Sequence, residues 1–481
     1  MNNPDDLAVS RSEKLNFKTK LAYGAGDLGP AITANILIFY LSPFLTDVAG
    51  LAPGLAGQTQ LIGKVWDAVN DPMVGVMSDK TRSRWGRRYP WILFGAIPFG
   101  IFFFLQWIVP TSSQWGMFAY YTFISIAFGW LYTVVNLPYT ALTPELTQDY
   151  DERTSLNSFR FAFSIGGSIV AVILVGIIGS LIPNNPGQKY LTIGLVCALL
   201  SILPLYWCVW GTIDRMKAMG LHRPETEPSL SIPFFQQVKI AFRNRPFLYV
   251  VGIYLCSWLS FQLTAAIIPY YVTGWMRLND PWAVPSVVLA VQLTAMAVLP
   301  IWNALSQRIG KRGVYAAGMI LWIMAQAGLF FLQPNQLVLM YVLAAMAGFG
   351  VSVAYLIPWS MLPDVIELDE LNTGQRREGI FYSFITFLQK VCLGIAVAIV
   401  LQSLDWTGYI KPTTAIPLPV QPDAVLLAVR MAIGPVPTVA LLIGMVLTYF
   451  YPITREVHAE IRLKLHERKT QQEREGMRDE E

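Results

Sequence analysis

Charged side chains are scarce in this chain. Asp, Glu, Lys and Arg make up 14% of its 481 residues, whereas soluble domains carry about 25%. Hydrophobic residues make up 54%, and the mean hydropathy is +0.46. The deficit excludes an ordinary soluble domain and implies a polytopic membrane protein. Its apolar runs contain internal Gly and Pro, as spanning helices do and barrel strands do not, so no outer-membrane barrel is implied. Cysteine and histidine are just as sparse. Cys197, Cys208, Cys256 and Cys392 lie in apolar segments without metal or redox spacing and read as small core residues. The three histidines, His222, His458 and His466, fall in polar loop or tail, so proton chemistry within the membrane has to use carboxylates.

Other absences narrow the function. The chain is polar up to about Lys20 and shows no cleavable signal pattern, so the first span itself serves as the targeting signal. Gly57 to Lys64 reads GQTQLIGK, with the glycine spacing one residue too long for a phosphate loop and Val65 where Ser or Thr is needed. That argues against primary pumping. The lack of an intramembrane His, of a nucleophile beside a base and of a selectivity-filter repeat argues against a membrane enzyme or channel.

Windows of about 20 apolar residues give twelve spans, centred roughly at 35, 66, 100, 129, 169, 200, 258, 295, 322, 349, 391 and 439. The fold class expected is therefore all-α and polytopic. The connections after spans two, six and eight are rich in Lys and Arg, which places both termini in the cytoplasm, and the membrane expected is the plasma (inner) membrane. A cytoplasmic N-terminal segment (1–20) precedes a six-helix bundle (21–212). A cytoplasmic central loop (213–244) then leads to a second six-helix bundle (245–452) and a cytoplasmic tail (453–481), to which the sequence assigns no function. The halves show weak similarity: GVMSDKTRSRWGRR after span two pairs with ALSQRIGKR after span eight, and LPYTALTPEL with IPWSMLPDV. Parallel six-span repeats are a transporter architecture, with the binding site between them near the midplane.

Span two carries WDAVNDP. Asp67 and Asp71 are four residues apart and share a helix face. Each ionised Asp at mid-membrane costs about 2.5–3.5 kcal/mol, so a cation has to be near. They supply oxygen to a bound monovalent cation or take up a proton, or else they form a structural salt-bridge network with Lys64 and Lys390, the latter near the centre of span eleven. Lys390 reads as a coupling charge facing an acid or a polar cavity, with a static pair as the alternative. Arg160, opening span five, is a solute hydrogen-bond donor or a headgroup anchor. Thr133 and Asn136 lie three apart on span four and offer oxygen to an ion or solute, or bond between helices. Asp27 reads as a rim residue. Asp79, Arg87 and Arg88 form a cytoplasmic gate or are simply positive-inside charge. Trp66, Tyr132, Tyr355 and Trp359 are candidates to line a cavity.

Together YGAGDLG, TDVAGL, WDAVNDP with SDKTRSRWGRRYPWIL, LPYTALTPEL, the Arg of SFRF and the Lys of span eleven resemble the glycoside-pentoside-hexuronide:cation symporters. These are melibiose-carrier-like members of the major facilitator superfamily, and the resemblance covers essentially the whole chain. It implies that Asp67 and Asp71 are cation-site carboxylates, that Thr133 is a further oxygen ligand, and that Arg160 and Lys390 are functionally sensitive. It also implies two six-helix halves. Where melibiose carriers have sugar-binding Asp residues, this chain has Ala31 and Asn136. PYTALT and SLDWTGY also resemble the sodium-dependent lysophosphatidylcholine symporters. The resemblance thus implies a symporter driven by Na+, or by H+ or Li+, that imports a sugar, glycoside or related solute, with a lysolipid as the alternative cargo. No cofactor and no nucleic-acid partner is expected, and the protein is expected to work as a monomer in the bilayer.

Overall fold

The computed structural model describes residues 15–147, 150–218, 240–374, 377–413, 416 and 418–479. Most of the 213–244 connection and the first 14 residues therefore lie outside the described residues, as does His222. Among the described residues there is no strand. Among the described residues the helices make twelve spans, and a thirteenth helix follows them.

The first span, α1 (17–48), is broken into Phe17–Ala25, Leu28–Ile36, Leu37–Leu41 and Phe44–Val48, the last two wound as π-helix. Such widened turns mark strain or function in a helix, and Pro43 between them supplies no backbone donor. Next come α2 (Pro53–Lys80), α3 (Tyr89–Leu105), α4 (Gln114–Thr140), α5 (Tyr150–Leu181), α6 (Pro186–Ala218) and α7 (Arg245–Trp275). Prolines at the first turns of α2 and α3 suit positions where a backbone N–H has no helical acceptor. Ala283–Phe331 is one run broken at Gly310, whose φ of 77° and ψ of 166° leave helical space and separate α8 (283–309) from α9 (311–331). Only a residue without Cβ adopts that conformation readily, so Gly310 makes the turn between two spans. The chain continues through α10 (Leu337–Thr373), α11 (Glu378–Trp406) and α12 (Asp423–Phe450) to α13 (Arg455–Asp479).

Two compact units result. Unit one gathers the described residues of Met1–Glu227 with Ile268–Leu289 and Gly394–Ala428; unit two holds Pro228–Ile267, Ala290–Leu393 and Val429–Glu481. The ends of α7 and α11 and the starts of α8 and α12 thus group with the first six spans. Unit two closes around Tyr254, Tyr315, Trp322, Met361 and Phe381. Several polar groups within the spans are satisfied locally. Ser257 lies 2.6 Å from the Tyr315 hydroxyl, and Arg430 donates to the Phe330 carbonyl at 2.6 and 2.9 Å. Large apolar side chains such as Phe94, Phe123, Leu203 and Trp210 are exposed on the outer faces, as a hydrocarbon solvent permits.

The sequence of the tail reads as a solvated helix or disordered chain; the structure makes it a helix, and not a wholly solvated one. α13 is helical and docked: His458 Nε2 lies 2.9 Å from Glu367 Oε2 and 3.4 Å from Asp364 Oδ1, and Arg455 donates to the Gln307 carbonyl at 2.9 Å. Polar anchors of this kind leave no trace in hydropathy, which is why the segment reads as solvated.

Candidate functional site

Spacings of three and four place Lys64, Asp67 and Asp71 on one face of α2. Small residues let α4 approach that face. A Cβ on Gly63 would stand 2.8 Å from the Ser125 Cβ, and one on Gly129 would stand 3.3 Å from the Asp67 Cβ. Thr133 lies one turn beyond Gly129 and meets both carboxylates, with its Oγ1 2.8 Å from Asp71 Oδ1 and 3.3 Å from Asp67 Oδ1. Lys64 Nζ is 3.5 Å from Asp67 Oδ2, and the Asp67 side chain is only 5% exposed.

The structure therefore brings Lys64, Asp67, Asp71 and Thr133 together. Among the described residues no group of three or more His, Cys, Asp or Glu could hold a metal. Carboxylate and hydroxyl oxygens are hard donors, suited to a small alkali cation. Asn70, inside WDAVNDP, is fully buried with neither amide atom hydrogen-bonded, and Asn136 Oδ1 is buried without a partner. Asn136 was legible as a candidate. Asn70 was missed because its neighbours carry the charge, although its position three residues after Asp67 places it on the adjoining turn.

Arg160 on α5 has its Nε 3.9 Å from Asp27 Oδ2. Asp27 is thus the partner of a candidate solute residue, not an isolated rim group. Lys390 lies at a half-buried position on α11 in unit two. One turn later Gly394, in unit one, packs on α2: its Cβ would be 3.1 Å from the Leu61 Cδ1 and from the Lys64 Cβ. Of the aromatic candidates, Trp66 is exposed and Tyr132 packs against Phe99 and Phe128. Tyr355 and Trp359 join Tyr254, Trp258, Phe261 and Tyr382 in one cluster of rings in unit two. Beside it, Gln262 Nε2, Thr264 Oγ1 and the Trp258 Nε1 are buried without partners.

At the basic end, Arg88 pairs with Asp79 and with Glu145 Oε1 at 3.3 Å, and it donates to Ser78 Oγ at 2.7 Å. Arg87 Nε reaches the same Glu145 oxygen at 2.6 Å. Glu145 was not singled out in the sequence, yet the internal repeat marks its place. In the second half Lys311, from ALSQRIGKR, bonds Asp364, from IPWSMLPDV, at 2.6 Å. Loop cation and helix-end carboxylate therefore recur in both halves, each pair inside its own unit. Glu145→Gln should lower stability by roughly 1–3 kcal/mol, because it leaves two arginines facing a neutral group in a partly buried setting. Thermal unfolding in detergent would show it. Asp214→Asn, at a surface pair, is the control expected to shift little.

At the opposite end of unit one, Asp47 accepts from Tyr409 at 3.1 Å and from Thr46 at 2.8 Å, and Thr46 also lies 2.9 Å from the Tyr270 hydroxyl. Lys411 donates to the Gly50 carbonyl, which also accepts from Gln114 at 2.8 Å. Burial pushes the Lys411 ammonium below its usual range, while Asp47 and Asp405 pull it back up.

The profile of the MFS/sugar transport protein family matches residues 22–455. This chain belongs to that family. An uncharacterized symporter of Synechocystis sp., sll1374, is 47% identical over 95% of this chain and 98% of the relative. The sodium-dependent lysophosphatidylcholine symporter 1 of Gallus gallus is 29% identical over 93% of this chain and 89% of its own. The sphingosine-1-phosphate transporter MFSD2B of Xenopus tropicalis is 28% identical over 95% and 92%. The crystal structure of the nucleoside transporter NupG superposes with a TM-score of 0.61 at 13% identity, covering 90% of this chain and 99% of that one. As a member of the MFS/sugar transport family the chain is a membrane transporter with the all-α major facilitator fold, and not an enzyme.

Proposed function

We propose that this transporter is a cation-coupled symporter that uses Na+, with H+ or Li+ as possible substitutes. Its cargo is a sugar, a glycoside or a related small organic solute, imported by alternating access. The observation that carries the reading is the convergence of buried Asp67 and Thr133 with half-buried Asp71, beside Lys64. One monovalent cation moving down 100 mV releases about 2.3 kcal/mol, which supports nearly fifty-fold accumulation before any ion gradient is counted. The Lys- and Arg-rich connections support an orientation with both termini in the cytoplasm, and the membrane proposed is the plasma (inner) membrane. Buried neutral groups of unit one without partners, on Asn70 and Asn136, match the hydroxyls of such a solute.

A second reading keeps the coupling and replaces the cargo with a lysolipid. It is supported by relatives whose names specify lysophosphatidylcholine and sphingosine-1-phosphate. Counterflow in proteoliposomes with a panel of labelled glycosides and lysolipids, at varied Na+ and pH, separates the two. Saturable glycoside exchange that rises with Na+ supports the first reading, and exchange confined to lysolipids supports the second. Solute uptake indifferent to Na+, Li+ and H+ gradients alike rules out the coupling.

A further inference from the structure

Two apolar grooves flank the basic end of α3. The first, about 510 Å³, runs between α3 and α6 and is lined by Trp85, Leu93, Phe94, Ile97, Tyr206 and Trp210 among others. The second, about 410 Å³, runs between α3 and α4, with Thr81, Trp91, Phe94, Gly95, Trp130 and Val134 in its walls. Phe94 belongs to both and is 69% exposed, so it forms the ridge that separates them. The rings are arranged in pairs: Trp85 lies 6.0 Å from Phe94, and Tyr206 stacks on Trp210 at 5.7 Å. Their polar tips turn to the protein. The Tyr206 hydroxyl donates to the Leu93 carbonyl at 3.0 Å, and Trp91 Nε1 donates to Thr81 Oγ1 at 2.8 Å. What remains is hydrocarbon on the outer face of membrane-crossing helices, where acyl chains and not water are the neighbouring medium.

Two arginines of the α2–α3 connection adjoin lining residues of the grooves, one in space and one in the chain. The Arg84 guanidinium sits 4.6 Å over the Trp85 ring, and Arg82 directly follows Thr81 in the chain. Arg87 and Arg88 are engaged by Asp79 and Glu145, whereas Arg82 and Arg84 make no ion pair among the described residues. The acid adjoining Ile213 at the far wall, Asp214, is paired with Lys217 at 3.6 Å. Two exposed guanidinium groups that make no ion pair among the described residues therefore lie on the connection leading into α3, close to two apolar grooves.

We propose that this end of α3 is a binding site for one diacyl anionic phospholipid, with its phosphate between Arg82 and Arg84 and one acyl chain in each groove, astride Phe94. Guanidinium is the side chain best matched to a phosphate, and the shared ridge fixes the number of chains at two. Bound there, the lipid braces the α2–α3 connection from outside while Asp79 and Glu145 hold it from within. The proposal rests on the membrane spans alone, and it stands or falls separately from the coupling ion and the solute.

The test is native mass spectrometry of the full chain, delipidated in detergent and offered phosphatidylglycerol or phosphatidylcholine with identical acyl chains. One phosphatidylglycerol should remain bound under activation that strips phosphatidylcholine, with a preference of roughly tenfold or more. The Arg82→Gln/Arg84→Gln double variant should lose that preference, and single-chain lysophosphatidylglycerol should be held less well than the diacyl lipid. Equal retention of the two headgroups by the unaltered protein overturns the proposal, as does a double variant that still prefers phosphatidylglycerol. Equal retention of one-chain and two-chain lipids overturns the straddling arrangement. If the double variant does not fold, the headgroup comparison on the unaltered protein decides alone.

Discussion

Asp71→Asn should weaken cation activation of uptake by on the order of a hundredfold, and the Asp67→Asn/Asp71→Asn pair should abolish it. Asn keeps one oxygen but removes the charge. A unit charge about 4 Å from a cation contributes roughly 4 kcal/mol at an effective dielectric of 20, so even half of that term amounts to more than a tenfold change. Asp67 already faces Lys64 at 3.5 Å, so its loss leaves an ammonium beside the site, and the remaining carboxylate then turns to Lys64 and not to an ion. The single variants should therefore differ: Asp71→Asn raises the Na+ concentration needed for half-maximal uptake, and Asp67→Asn also redirects Asp71. Thr133→Val, which removes one neutral oxygen, should cost about tenfold or less. The measurement is Na+-dependent solute uptake into proteoliposomes, with solute binding in the absence of a gradient recorded alongside. Unchanged Na+ dependence in the double Asn variant would end the assignment of this site to the coupling ion.

Much of this arrangement was legible before any coordinates. Twelve spans follow from apolar run length. The structure reaches that number only when α1 is read through its π-helical breaks and Ala283–Phe331 is divided at Gly310. Asp67 and Asp71 were legible because charge in a hydrocarbon layer is conspicuous and helix spacing fixes the face, whereas Thr133 joined them only through the family resemblance. Uncharged Asn70 lay in the same motif and passed unnoticed, since an amide becomes informative only once its burial and lack of partners are known. Glu145 sat in a quoted motif, but its bonds to Arg87 and Arg88 span 58 and 57 residues, a separation over which local pattern says nothing. The same limit hid Asp47, whose partner Tyr409 is 362 residues away. Helix-level features thus follow from the periodicity of the solvent boundary. Contacts between distant segments need the packing, and the internal repeat was the only sequence signal that reached them.

Tyr409→Phe should shift an alternating-access transporter toward the state open at the end that carries Asp47. That end of unit one is fastened by residues from both halves of the chain: Thr46, Asp47 and Gly50 from the first, and Tyr270, Tyr409 and Lys411 from the second. Opening there requires these bonds to break, so their strength enters the conformational equilibrium directly. The variant keeps the ring and its edge-on packing against Tyr270 at 5.4 Å, and it removes only the hydroxyl that donates to Asp47. A hydrogen bond to a charged group contributes roughly 1.5–3 kcal/mol, which corresponds to a population shift of about ten- to a hundredfold. Asp47→Ala, which also releases Thr46, should shift it further. Ser42→Cys, in a background without the four native cysteines, supplies the reporter one turn deeper on α1. Labelling by a membrane-impermeant thiol reagent, applied from the side of the membrane that carries Asp47, should accelerate in both variants, and maximal uptake should fall as closure becomes the slow step. Equal labelling rates in the parent and both variants would show that these contacts do not govern access, and would leave the aspartate as a packing feature of the helix end.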